Sequence, residues 1–138
     1  DLIEIRNDTL FVNGKNADNE LNLRKYFIVP FSALTTAEVP EEDVMPSQVP
    51  DSAIVILQSR NDSSLIRRGR PYFPNQESTV EPYVQRAFGQ PWGVSNFGPY
   101  KVPVNKYFVL GDNRHASQDS RFTGPIDMSQ YFGTVIGK

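Results

Sequence analysis

The first fifteen residues constrain the fold most tightly. Leu2-Ile3-Glu4-Ile5-Arg6 and Thr9-Leu10-Phe11-Val12 partly alternate apolar and polar residues on either side of Asn7-Asp8, and Asn13-Gly14-Lys15 follows. Alternation of this kind puts the apolar side chains on one face of a pleated strand. Asn, Asp and Gly tolerate the left-handed backbone of a tight hairpin turn. The segment therefore predicts a β-hairpin with a second turn directly after it, which commits the surrounding chain to antiparallel pairing.

The rest of the chain offers little room for long helices, because prolines recur throughout it. Residues 35–52 alone hold Pro40, Pro46 and Pro50, and a proline inside a helix removes a backbone donor and clashes with the preceding turn. A short helix after Pro40 is allowed, since Glu41, Glu42 and Asp43 suit the positive end of a helix. Residues 16–24 read as loop. Lys25-Tyr26-Phe27-Ile28-Val29 reads as a strand that Pro30 ends or places at an edge. Ala53-Ile54-Val55-Ile56-Leu57 has the β-branched content of a buried strand. From 61 to 100 the chain is rich in Pro, Gly, Asn and Ser, and is expected to be extended loop, with one or two helical turns at Glu81–Arg86. Its aromatics, Tyr72, Phe73, Tyr83, Phe88, Trp92, Phe97 and Tyr100, are expected to pin that loop to a sheet; a ligand platform is the alternative. Lys106–Leu110 reads as a central strand and Tyr131–Ile136 as the last one. The fold class is mainly β, with antiparallel sheets and few short helices.

Composition narrows the function. The 138 residues make one domain, or one domain and part of another. A net charge of -2 gives no electrostatic case for nucleic acid. The one dense basic cluster, Arg67-Arg68-Gly69-Arg70, reads as a solvated loop rather than a phosphate or lipid site. The lack of cysteine excludes thiol catalysis, cysteine-based metal sites and disulfides. A single histidine, His115, argues against a zinc site. No apolar run approaches the ~18 residues of a membrane helix, and no signal-peptide pattern is visible. Asp1 in place of a start methionine suggests a processed or trimmed chain.

Function is concentrated in Gly111-Asp112-Asn113-Arg114-His115-Ala116-Ser117-Gln118-Asp119-Ser120-Arg121, which directly follows the apolar Tyr107-Phe108-Val109-Leu110. Taken alone, the run is a polar turn with an Asp119–Arg121 surface pair worth ~0–1 kcal/mol. A Ser117–His115–Asp119 triad is rejected, because triad members converge from separate elements and not from one short loop.

The ordered run closely resembles the GDNRxxSxDSR box of bacterial signal peptidase I, a membrane-bound serine protease family. The likeness extends upstream through Val102-Pro103-Val104-Asn105-Lys106 to Leu110, and downstream through Phe122, Gly124 and Val135-Ile136-Gly137-Lys138. The opening hairpin also resembles the one that follows the family's PGD segment, with Asp1 as its aspartate. The resemblance implies a β core fragment with a large β-rich insertion: residues 1–97 would be the opening hairpin and the insertion, and 98–138 the returning strands of the catalytic core.

The resemblance also implies the site. The family's nucleophilic serine lies in an SxSMxPT-like segment and its general-base lysine just before PGD, so both would precede residue 1 and this chain alone would be inactive. Ser117 would hydrogen-bond the lysine and orient it. Asp119 and Arg121 would form a structural ion pair beneath the site. Asp112, Asn113 and Arg114 would lock the loop through hydrogen bonds, and Gly111 would supply a backbone conformation closed to other residues. His115 and Ala116 depart from the family's usual polar pair. No cofactor or metal is implied. The implied partners are signal peptides of exported preproteins, and the implied place is the bacterial cytoplasmic membrane, with this portion on the extracytoplasmic side. Open sheet edges would favour self-association. The competing reading is a non-catalytic β-rich module that binds a peptide or glycan through its aromatics, and a bare scaffold is a weaker third.

Overall fold

A computed structural model describes residues 1–34, 39–73 and 80–133. The chain is mainly antiparallel β, with three sheets and a few short helices. It forms two compact units: Asp1–Asn16, Thr79–Gly111 and Gln118–Lys138 in the first, Ala17–Ser78 and Asp112–Ser117 in the second. Residues 80–97 group with the opening hairpin.

In the first unit, β1 (Leu2–Arg6) and β2 (Thr9–Val12) pair antiparallel, Ile5 opposite Leu10 and Ile3 opposite Val12. Asn7 and Asp8 have φ of 48° and 63°, the left-handed pair that a two-residue hairpin turn demands. Ile3, Ile5 and Leu10 are buried, so the alternation read from the sequence faces a core. A second turn at Asn13-Gly14 leads into β3 (Lys15–Asn16). The Asn13 side chain ties that turn back to the start of β1: its Oδ1 accepts from the Leu2 amide at 2.8 Å and its Nδ2 donates to Asp1 Oδ1 at 2.9 Å.

The second unit opens with a 3-10 turn at Asp18–Glu20. Its sheet runs β5-β6-β4-β7 and comprises β4 (Arg24–Pro30), β5 (Val44–Pro46), β6 (Ser52–Gln58) and β7 (Arg70–Pro71). β4 is interior, and Pro30 closes it opposite Ser52 before α1 (Phe31–Leu34) begins. Phe27, Val29, Val55 and Leu57 form the core with Ala33, Ala53 and Leu65. The acidic turn expected after Pro40 is a three-residue 3-10 turn at Glu41–Asp43. One helix was read as loop: α2 (Ser63–Arg68). It is anchored by buried Leu65, and six residues are too few for a helical period to emerge. Arg67 and Arg68 are exposed in its last turn, which complements the helix dipole.

Back in the first unit, α3 (Pro82–Phe88) follows the expected one or two turns. Glu81 caps it by accepting from the Tyr83 amide, and Gly89 ends it at φ 66°. β8 (Phe97–Lys101) then adds to β1, giving the order β3-β2-β1-β8. Gly98 is required there: its φ is +89°, and a Cβ would sit 2.7 Å from the Ile3 carbonyl oxygen. Phe88, Trp92, Phe97 and Tyr100 pack on one another and on Phe108, with centroids 4.7–6.4 Å apart. These four aromatics therefore pin the loop to the sheet. Tyr83 instead lies exposed beside Arg86.

Among the described residues, Lys106–Leu110 pairs through β9 (Lys106–Tyr107) with β10 (Ile126–Asp127), in a sheet of two. Val109 exchanges hydrogen bonds with Ser120, at the start of α4 (Ser120–Thr123). Tyr131–Gly133 carries no strand, and the remainder of the strand expected over Tyr131–Ile136 lies outside the described residues.

Candidate functional site

The two ends of the polar run belong to the first unit. Asp119 is the N-cap of α4 and sits in extended backbone, where its Oδ1 accepts from the Arg121 amide at 3.1 Å. That turn folds Arg121 back onto the same carboxylate. Nε reaches Oδ1 at 2.8 Å and Nη2 reaches Oδ2 at 2.8 Å, a two-pronged pairing that fixes the guanidinium plane. Oδ2 also accepts from the Gly111 amide at 3.1 Å, and Arg121 Nη1 reaches the Val94 carbonyl at 3.4 Å. Arg121 is only 1% exposed. The pair is thus an internal brace and not the surface contact that composition alone favours. Gly111 is not among the residues of positive φ, and its N–H is held by the Asp119 carboxylate.

Ser120, which the sequence reading passed over, is fully buried. Its Oγ accepts from the Val109 amide at 3.0 Å and its amide donates to the Val109 carbonyl at 3.1 Å. The serine between Asp119 and Arg121 is what a search for hydroxyls flanking the pair would have found.

The middle of the run, Asp112–Ser117, belongs to the second unit. The Asp112 carbonyl accepts from the Arg24 amide at 3.2 Å, and Asn113 forms a parallel bridge with Arg24 at the start of β4. Asp112 Oδ1 accepts from the Asn113 amide at 2.8 Å. The Arg114 guanidinium is buried and meets Asp18 Oδ1 at 2.9 Å, in the 3-10 turn that opens this unit. His115 stands edge-on to the Tyr26 ring, with centroids 5.3 Å apart. The Ala116 amide and the Ser117 hydroxyl both donate to the Asn113 carbonyl, at 3.1 and 2.6 Å. Asp18, Arg24 and Tyr26 were not singled out in the sequence, because nothing in their spacing points to a loop some ninety residues away.

This geometry limits the chemistry. Ser117 gives its proton to a carbonyl and Asp119 is engaged by Arg121, so no relay of Ser117, His115 and Asp119 forms. With that proton engaged, the Ser117 lone pairs are left to accept from an external N–H donor. Among the described residues, no cluster of His, Asp and Glu is arranged to hold a metal ion.

Fold and site together define a mainly antiparallel β protein whose polar run is held by buried ion pairs. The chain belongs to the family described as signal peptidase, peptidase S26, whose sequence model matches residues 1–137. It is similar to signal peptidase I of Bacillus licheniformis, 46% identical over 66 residues, which cover 44% of this chain and 36% of that protein. Signal peptidase I S of Bacillus subtilis is 73% identical over 26 residues, 19% of this chain and 14% of that protein. Signal peptidase I of Mycobacterium tuberculosis is 32% identical over 91 residues, 63% of this chain and 29% of that protein. The matched segments of the chain thus cover 14% to 36% of the length of these relatives. No solved structure matches it. No helix among the described residues is long and apolar enough to cross a membrane.

Proposed function

We propose that this chain is part of a membrane-anchored serine endopeptidase that removes signal peptides from exported proteins. The observation that carries the reading is the Ser117 hydroxyl, fixed through Asn113 with its lone pairs left to accept, in a chain of the signal peptidase family. The reaction is acyl transfer by a Ser–Lys dyad. Nucleophile and base lie outside these 138 residues, so the piece alone is inactive.

A lysine base must be neutral to take the serine proton, and its ordinary pKa of ~10.4 must be lowered by burial. Ser117 suits that task, because an uncharged acceptor orients the amine without stabilising its charged form as a carboxylate would. Asp119 and Arg121 brace the loop beneath the amine, with Gly111 held by Asp119. Asp112, Asn113 and Arg114 shape the turn that presents Ser117. Substrates are signal peptides with small residues before the scissile bond, bound as an added strand on a sheet edge. The anchor lies outside these residues, and this portion sits on the extracytoplasmic side of the bacterial cytoplasmic membrane. Open edges of the isolated piece favour self-association. The packing of Phe88, Trp92, Phe97 and Tyr100 on one another supports a pinning role for them over the binding platform of the alternative reading.

Reading the coding sequence ahead of Asp1 is the first test. A serine in an SxSMxPT-like segment and a lysine before PGD are expected; their absence overturns the enzyme reading. In the complete protein, Ser117→Ala should lower turnover of a signal-peptide substrate about tenfold or more while leaving the melting temperature in place. Unchanged turnover would remove Ser117 from the mechanism.

A further inference from the structure

Apart from Asp112–Ser117, the second unit has no place in the peptidase reading so far, yet it supplies a buried charge to that segment. Asp18 is 8% exposed, and its Oδ1 lies 2.9 Å from Arg114 Nη2, 96 residues further along the chain. Arg114 stands three residues before Ser117. Between them, the Asn113 carbonyl receives both the Ala116 amide and the Ser117 hydroxyl. Asp112 and Asn113 are in turn laid along the start of β4 by the Arg24 amide and the parallel bridge. The position of Ser117 within this unit therefore rests on three attachments of its loop: the backbone seam at Arg24, the edge-on contact of His115 with Tyr26 and the ion pair at Asp18.

The three attachments are not equivalent. The seam and the ring contact hold the loop along β4. The ion pair ties it instead to the Asp18–Glu20 turn. A buried ion pair adds little net stability, because desolvation offsets the attraction. What it adds is direction, since a guanidinium offers its N–H groups in a rigid fork.

We propose that Asp18 is a positioning residue: it holds Arg114, and through Arg114 the 112–117 turn, in the one arrangement that presents the Ser117 hydroxyl. This rests on the peptidase reading for its effect on turnover, though not for its effect on the loop. It assigns the second unit a task, namely a splint for the polar run. Asp18 touches no reacting atom.

The experiment uses the complete protein with Asp18→Asn, which keeps the shape and removes the charge, and with Asp18→Glu as the conservative variant. Hydrogen exchange reads the loop directly. Asp18→Asn should speed exchange of the Ala116 and Arg24 amides about tenfold more than that of the central β4–β6 amides. Cleavage kinetics read the consequence: kcat should fall about tenfold with KM within about twofold, and Asp18→Glu should recover part of the loss. In a Ser117→Ala background Asp18→Asn should lower kcat no further, because the residue it acts through is gone. A purely structural Asp18 would instead give losses that multiply. The inference is overturned by unchanged exchange in the loop, by full kcat in a variant whose loop exchanges faster, or by multiplying losses. If Ser117→Ala alone leaves turnover intact, the peptidase role of Ser117 fails, and the exchange result still decides whether Asp18 holds the turn. If Asp18→Asn fails to fold, Arg114→Lys, which keeps the charge and removes the fork, is read by the same measurements.

Discussion

The two halves of the polar run are each braced by a buried Asp–Arg pair, and the two braces are built differently. Asp119 and Arg121 stand two residues apart, meet through two prongs, and are held by the cap of α4. Asp18 and Arg114 stand 96 residues apart, and Nη2 meets Oδ1 at 2.9 Å between a 3-10 turn and a loop. The first pair closes as soon as its local turn forms. The second needs the whole second unit to fold before its partners meet. A local brace therefore acts as part of the loop's own covalent economy of shape, whereas the distant one reports whether another region is in place.

Breaking the local brace should have the largest effect. Asp119→Ala strips a buried guanidinium of its partner, removes the cap and frees the Gly111 amide. A loss of about 3–5 kcal/mol is expected, read by chemical denaturation. Replacing both partners, Asp119→Leu with Arg121→Met, should lose clearly less than the single change, since no buried charge is then stranded. A double replacement as damaging as the single one would show that the fork's geometry, and not charge burial, sustains the loop.

The distant brace should yield less. Asp18→Asn keeps a neutral acceptor for Arg114, so a loss of about 1.5–3 kcal/mol is expected in the same denaturation experiment. A loss equal to that of Asp119→Ala would erase the distinction between the two braces. Ser120→Ala comes next: it takes the acceptor from the Val109 amide, at a part-exposed residue that water can reach, and about 1 kcal/mol is expected from thermal melting. Smallest of all is the exposed pair Lys106–Asp127, at 3.1 Å. Lys106→Ala should change stability by about 0–1 kcal/mol, and added salt should shrink even that.

The same contrast governs what could be read before folding. The opening hairpin was legible because its signals are local: alternating Ile3, Ile5 and Leu10, and Asn7-Asp8 at a left-handed turn. So were β4 with Pro30 at its end, β6, and the one or two helical turns at Glu81–Arg86. α2 was missed because its helical character comes from Leu65 docking on a sheet core, which no six-residue pattern announces. At Lys106–Leu110 the sequence showed the apolar content but not the partner: among the described residues, Val109 exchanges hydrogen bonds with Ser120 of the run itself.

In the site, order and residue type alone marked Gly111–Arg121 as the place to look, and they made Asp119–Arg121 a natural pair, because two residues in one turn have few ways to avoid each other. Burial was beyond reach: nothing in the run says that Arg121 is almost completely enclosed under the Val94 carbonyl. Asp18 was further still. One aspartate in a polar loop is indistinguishable from its neighbours until tertiary folding closes a long loop of chain and takes both charges out of water. Contacts between residues near in sequence are fixed by backbone geometry, and the sequence determined those. Contacts across ninety residues are fixed by which cores assemble, and only the tertiary structure decided them.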